Sequence, residues 1–171
     1  QRGSTADQKL YGPHSAHWIP DSLKDGGAVM VFNNGTGRPG GNYSTVEVIH
    51  LPQDSTGFYS QDTLNAFGPL VANWTYTDPV PSSLFSMNIS NAQRLPDGHT
   101  LICEGSSGSF IEIDSIGNKV WNYKNPVNQN GPATQGNNIF LNQVFRSLYY
   151  APDYPAFQIH PPIAGAPVEL N

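Results

Sequence analysis

The stretch spanning residues 91–126, NAQRLPDGHTLICEGSSGSFIEIDSIGNKVWNYKNP, constrains the fold more than any other part of the chain. It predicts four short strands separated by three turns. Residues 92–95 form the first strand, closed by Pro96-Asp97-Gly98, where proline pre-sets φ and glycine supplies a positive φ. Residues 100–104 (TLICE) make a β-branched, apolar second strand that ends at Gly105-Ser106-Ser107-Gly108. Residues 109–114 (SFIEID) alternate apolar and polar side chains, the period-two mark of a strand with one wet face. After Ser115-Ile116-Gly117-Asn118, residues 119–123 (KVWNY) form an outer strand that Asn125-Pro126 stops. This spacing and turn chemistry describe a hairpin meander, the build of one β-propeller blade. An unrelated four-stranded meander is the other reading of the same spacing.

The landmarks recur upstream. Ala16, Ile19 and Pro20 match Ala92, Leu95 and Pro96; Val46-Glu47-Val48 matches Ile111-Glu112-Ile113; and Trp74, Tyr76 and Pro79 match Trp121, Tyr123 and Pro126. The order is kept and the insertions fall in turns, which is how a repeat architecture reads. The expected organisation is an N-terminal arm (1–13), a first blade with long loop insertions (14–79), a second blade (80–126), and a partial blade with a Pro-rich strap (127–171). Within the last part, residues 142–150 read as either another inner strand or a short helix. The Trp and Tyr on alternate positions of each outer strand are expected to pack between neighbouring blades.

Composition narrows the function classes. Among 171 residues are 17 Gly and 15 Pro, charged side chains make up only 12%, and the net charge is −5. That is a turn-rich, all-β composition. Lys and Arg form no cluster able to neutralise phosphates, which argues against nucleic acid as a partner. No apolar run is long enough to span a membrane as a helix. The chain opens on Gln1 without a signal peptide and reads as a processed product or a partial sequence. Four Asn-x-Ser/Thr sequons, at Asn34, Asn42, Asn73 and Asn88, are candidate glycosylation sites if the source is eukaryotic. Cys103, alone in an apolar strand, reads as a buried inert thiol.

Few other residues suggest chemistry. Arg94 and Arg146 are candidate anion binders, against the ordinary reading of a surface or interblade contact. His50, His99 and His160 lie beside turns and are expected to be solvated. Glu104, Glu112 and Asp114 raise the question of paired carboxylates, but Glu112 and Asp114 on one face of one strand are better read as wet-face polarity. No metal-ligand cluster and no cofactor motif is legible.

Taken together, residues 91–102 (NAQRLPDGHTLI), then Glu112-Ile113-Asp114, Gly117, Val120-Trp121, Tyr123 and Asn125-Pro126, resemble the propeller repeat of the arylsulfotransferase family. His14-x-Ala16-His17-x-Ile19-Pro20 followed by an Asn-Gly loop resembles the preceding blade of its bacterial relatives. Phe145-Arg146, Tyr149 and Pro152-Asp153-Tyr154-Pro155 are similar to the segment after their last blades. The resemblance covers most of residues 12–157. It implies sulfuryl transfer from an aryl sulfate (a phenolic sulfate ester) to a phenol through a sulfo-histidine in the central channel, in a secreted or periplasmic protein. It makes His14 and His17 the catalytic candidates. Three residues apart on a strand, they are expected to point to opposite faces, so that at most one faces the channel.

A closed propeller needs at least about four blades, and two are recognisable here. The chain is therefore a portion of a longer propeller, a subunit that closes a ring by self-association, or a β repeat that stacks into an extracellular assembly. The last makes a non-catalytic extracellular binding or structural protein the alternative to an enzyme.

Overall fold

The computed structural model describes residues 3–59 and 64–171; residues 1–2 and 60–63 lie outside them. Strands β1 (Pro13–Trp18), β2 (Val29–Asn33), β3 (Thr45–Ile49) and β4 (Trp74–Tyr76) form one antiparallel sheet in sequence order. Strands β5 (Asn91–Arg94), β6 (Thr100–Glu104), β7 (Ser109–Ile113) and β8 (Lys119–Lys124) form a second with the same meander. A two-stranded hairpin, β9 (Val127–Asn128) and β10 (Gly131–Pro132), follows, and a single turn of helix, α1 (Pro155–Ile159), lies near the end. The fold is all-β, with three antiparallel sheets, none of them closed on itself.

The two large sheets pack face to face. Met30, Phe32, Val46, Val48 and Tyr76 of the first meet Ala92, Ile102, Ile111 and Ile113 of the second in one buried cluster with Ile19 and Leu84. Each fully buried side chain of this kind contributes about 1.5–3 kcal/mol. The apolar alternation that marks these strands in the sequence is thus spent on a shared core, and it explains why two meanders fold as one body.

Two details of register depart from the sequence reading. In β3–β4, Tyr76 opposes Val46 and Trp74 opposes Val48. In β7–β8, Tyr123 opposes Phe110 and Trp121 opposes Glu112, with a bulge between Glu112 and Ile113. Val46-Glu47-Val48 therefore corresponds in space to Phe110-Ile111-Glu112, one residue earlier than the landmark match. A one-residue slip exchanges the faces of a strand. Trp74 and Tyr76 consequently look into the core, whereas Trp121 and Tyr123 look away from it.

Residues 142–150 form neither a ladder strand nor a helix. They run extended beside β5, held by Ser90 N–H donating to the Phe145 carbonyl and Val144 N–H to the Gly105 carbonyl. The Asn91 amide brackets Ser147, accepting from its N–H at 2.8 Å and donating to its carbonyl at 2.7 Å. Beyond those two backbone bonds the side chains of Asn91 and Gln93 take the place of a ladder, with Tyr149 N–H donating to Gln93 Oε1. Gly105 and Gly108 are required here: a Cβ on either would collide with the Val144 or Asn142 carbonyl. The Pro-rich strap ends by pairing Leu170 with Thr134, just beyond β10.

Candidate functional site

β1 is an edge strand, and its geometry decides the site. His14 opposes Phe32 and His17 opposes Met30, so three steps along β1 match two along β2. The extra residue is taken up in a bulge in which Ser15 has a φ of 54°. Opposed residues of an antiparallel pair project to the same side, and Phe32 and Met30 share a face. His14 and His17 therefore share that face too. The expectation of opposite faces is corrected: strict alternation fails across a bulge.

A cavity of about 310 Å³ opens between β1 and β5. His17, Ser15 and Trp18 line it from β1, Gln93 from β5, and Arg146 and Leu148 from the extended segment beside β5. His17 Nδ1 lies 2.9 Å from the Ser15 carbonyl. A carbonyl only accepts, so Nδ1 carries the hydrogen and the lone pair of the neutral ring sits on Nε2. His14, one opposed pair further along, has Nδ1 2.7 Å from Asn34 Oδ1.

The two arginines part company. Arg146 is exposed at the cavity. Arg94 also borders it, but its side chain is buried, bonded to Asp25 Oδ2 at 2.6 Å and to Thr100 Oγ1 at 2.6 Å. Burial pulls its pKa below the ordinary value and Asp25 pulls it back up. Its charge is used to join the sheets, leaving Arg146 as the arginine whose charge faces the cavity.

The sequons divide as well. The glycan-bearing atom of a sequon is Nδ2. In Asn34, which is fully buried, Nδ2 donates to the Ser86 and Ile89 carbonyls at 2.7 and 3.1 Å. Asn42, Asn73 and Asn88 are exposed and engage through Oδ1, accepting from Gly37 N–H, His50 N–H and Ser106 Oγ. Asn34 is thus a structural residue.

Other candidates take structural places. Cys103 is buried, and desolvation pushes its thiol up to about 11. Glu104 holds the following turn through Ser107, and Asp114 accepts from the Ile116 and Asn118 N–H groups. His50 and His160 are exposed. His99 departs from the solvated expectation: its Nδ1 lies 2.6 Å from Glu112 Oε1 and 3.4 Å from Asp97 Oδ2. Asp97, His99 and Glu112 are the one such cluster with metal-ligand spacing among the described residues. The sequence reading missed it because the register that brings Glu112 beside the β5–β6 turn is set by the sheet.

The outer face of the second sheet carries an aromatic row beside Glu112. Phe110, Tyr123 and Trp121 stack in near-parallel succession, with ring centroids 6.1 and 6.0 Å apart. Trp121 is 46% exposed, and Leu148, Tyr149 and Tyr150 flank it across an open groove. Among the described residues no helix is long and apolar enough to cross a membrane. Comparison with protein-family models, with curated proteins and with solved structures finds no match to this chain.

Proposed function

We propose that this chain is a pair of blades from a β-propeller of arylsulfotransferase type, secreted or periplasmic, and that the cavity between β1 and β5 takes an aryl sulfate. The observation that carries this reading is the meeting of His17 with Arg146 in that cavity, beside a bulge that sets His14 on the same face. His17 Nε2 attacks the ester sulfur, an N–S bond forms, and the aryl O–S bond breaks with its electron pair leaving on the phenolate. The oxygen of an acceptor phenol then attacks the same sulfur, the N–S bond breaks, and the phenol's proton passes to a base. Arg146 offers the sulfate oxygens a cationic partner.

The experiment is transfer from a chromogenic aryl sulfate to a phenol, using native material. Activity should fall at least a hundredfold in His17→Ala and about tenfold in Arg146→Ala, as expected for a nucleophile and a charge stabiliser. Transfer indifferent to His14→Ala and His17→Ala together would sink the assignment.

The stacked aromatic face of β7 and β8 favours a second reading: a non-catalytic extracellular binding or structural protein that assembles through its blades. An exposed aromatic row of this kind marks an interaction surface. Native material that transfers no sulfuryl group but scatters light as a large particle would favour it.

A further inference from the structure

The side chain of Asn34 is wholly buried where the end of β2 meets the chain entering β5. Its Nδ2 faces two backbone carbonyls, Ser86 at 2.7 Å and Ile89 at 3.1 Å. Carbonyls cannot donate, so the amide nitrogen must be the end that faces them, and Oδ1 must face the imidazole of His14 at 2.7 Å. The Gly12 carbonyl lies 3.1 Å from the same ring nitrogen. Nδ1 thus has two acceptors beside it and must carry the hydrogen. In the neutral ring the lone pair is then on Nε2, for which no hydrogen-bond partner exists among the described residues.

We infer that Asn34 is a positioning residue that locks His14 in the Nδ1–H tautomer and presents Nε2 as a proton-accepting nitrogen. The carbonyls of Ser86 and Ile89, on the connection between the sheets, fix the amide, and the amide fixes the ring. A side chain that reads as a glycosylation sequon instead sets the tautomer of a neighbour twenty residues away in sequence. His14 lies outside the lining of the cavity between β1 and β5, so the sulfotransfer reading above assigns it no proton-transfer step. The tautomer itself does not rest on that reading.

The test is nitrogen-15 correlation spectroscopy of the histidine rings at a pH where they are neutral. Wild-type protein should show His14 with a hydrogen on Nδ1 and a pyridine-type Nε2. Folded Asn34→Ala should move His14 toward the Nε2–H form that free imidazole side chains prefer. An Nε2–H signal for His14 in the wild type overturns the inference and needs no variant. An unchanged Nδ1–H signal in folded Asn34→Ala also overturns it, because Gly12 alone would then suffice. The Nδ1–H signal in a protein that transfers no sulfuryl group upholds the tautomer lock and counts against the sulfotransfer reading.

Discussion

The guanidinium carbon of Arg94 stands 4.7 Å from the ring centroid of Trp74, so that the first strand of one sheet grips the last strand of the other. The same guanidinium reaches Asp25, on the β1–β2 connection, at 2.6 Å. One side chain therefore ties two separate parts of the first sheet to the second, and it borders the cavity that His17 lines.

Arg94→Met should destabilise the protein by about 3 kcal/mol, because it removes a buried guanidinium together with its bonds to Asp25 and Thr100. Adding Asp25→Asn should recover part of the loss. Urea unfolding of the single and double variants measures both. A loss below about 1 kcal/mol for Arg94→Met would mean that the sheets are held by the apolar core alone.

Trp74 and Trp121 occupy equivalent places, and the structure predicts unequal consequences for their loss. Trp74→Ala opens a hole against Arg94 and Tyr76 and should cost about 3–5 kcal/mol. Trp121→Ala removes a ring that is 46% exposed and should cost under about 1 kcal/mol in the isolated chain. If the outer face of the second sheet is an interblade or intersubunit surface, Trp121→Ala should also reduce self-association by sedimentation. Equal costs for the two substitutions would contradict the packing described here.

His99 predicts a pH dependence. Its hydrogen bond with Glu112, then the charges of Asp97, Glu112 and Asp114, raise its pKa above the ordinary 6.5, against a smaller opposing effect of desolvation. A raised folded-state value means that the stabilisation is fully present below the unfolded value near 6.5 and is lost as pH rises through the folded one. The stability difference between wild type and His99→Gln should thus be greatest in mildly acidic solution and shrink above pH 6.5. Unfolding midpoints across that window check the sign, and a difference that grows with pH would refute it.

Expressed in a glycosylating host, the chain should carry glycans at some of Asn42, Asn73 and Asn88 and none at Asn34, whose Nδ2 is bonded inside the fold. Glycopeptide mass spectrometry reads the occupancy. A glycan on Asn34 of folded protein would show that its side chain reaches solvent.

Much of the fold was legible because its causes are local. Pro96-Asp97-Gly98 turns the chain through its own dihedral preferences, and the period-two alternation of residues 109–113 reports a pleat without reference to any neighbour. The repeat of Trp-x-Tyr likewise marked two outer strands. Both β4 and β8 form where that pattern placed them.

The candidate site was legible only as residue types. His14, His17 and Arg146 could be picked out by their chemistry, but which of them meet depends on contacts made far along the chain. A bulge at Ser15 put the two histidines on one face, and an ion pair spanning from Asp25 to Arg94 withdrew one arginine from anion binding. A second bulge in β8 turned Trp121 outward. Sequence alone determined the strands, the turns and the repeat, because each arises from side chains a few residues apart. Tertiary structure decided the faces, the tautomer of His14 and the role of Asn34, because register and burial are settled only when distant strands compete for the same neighbours.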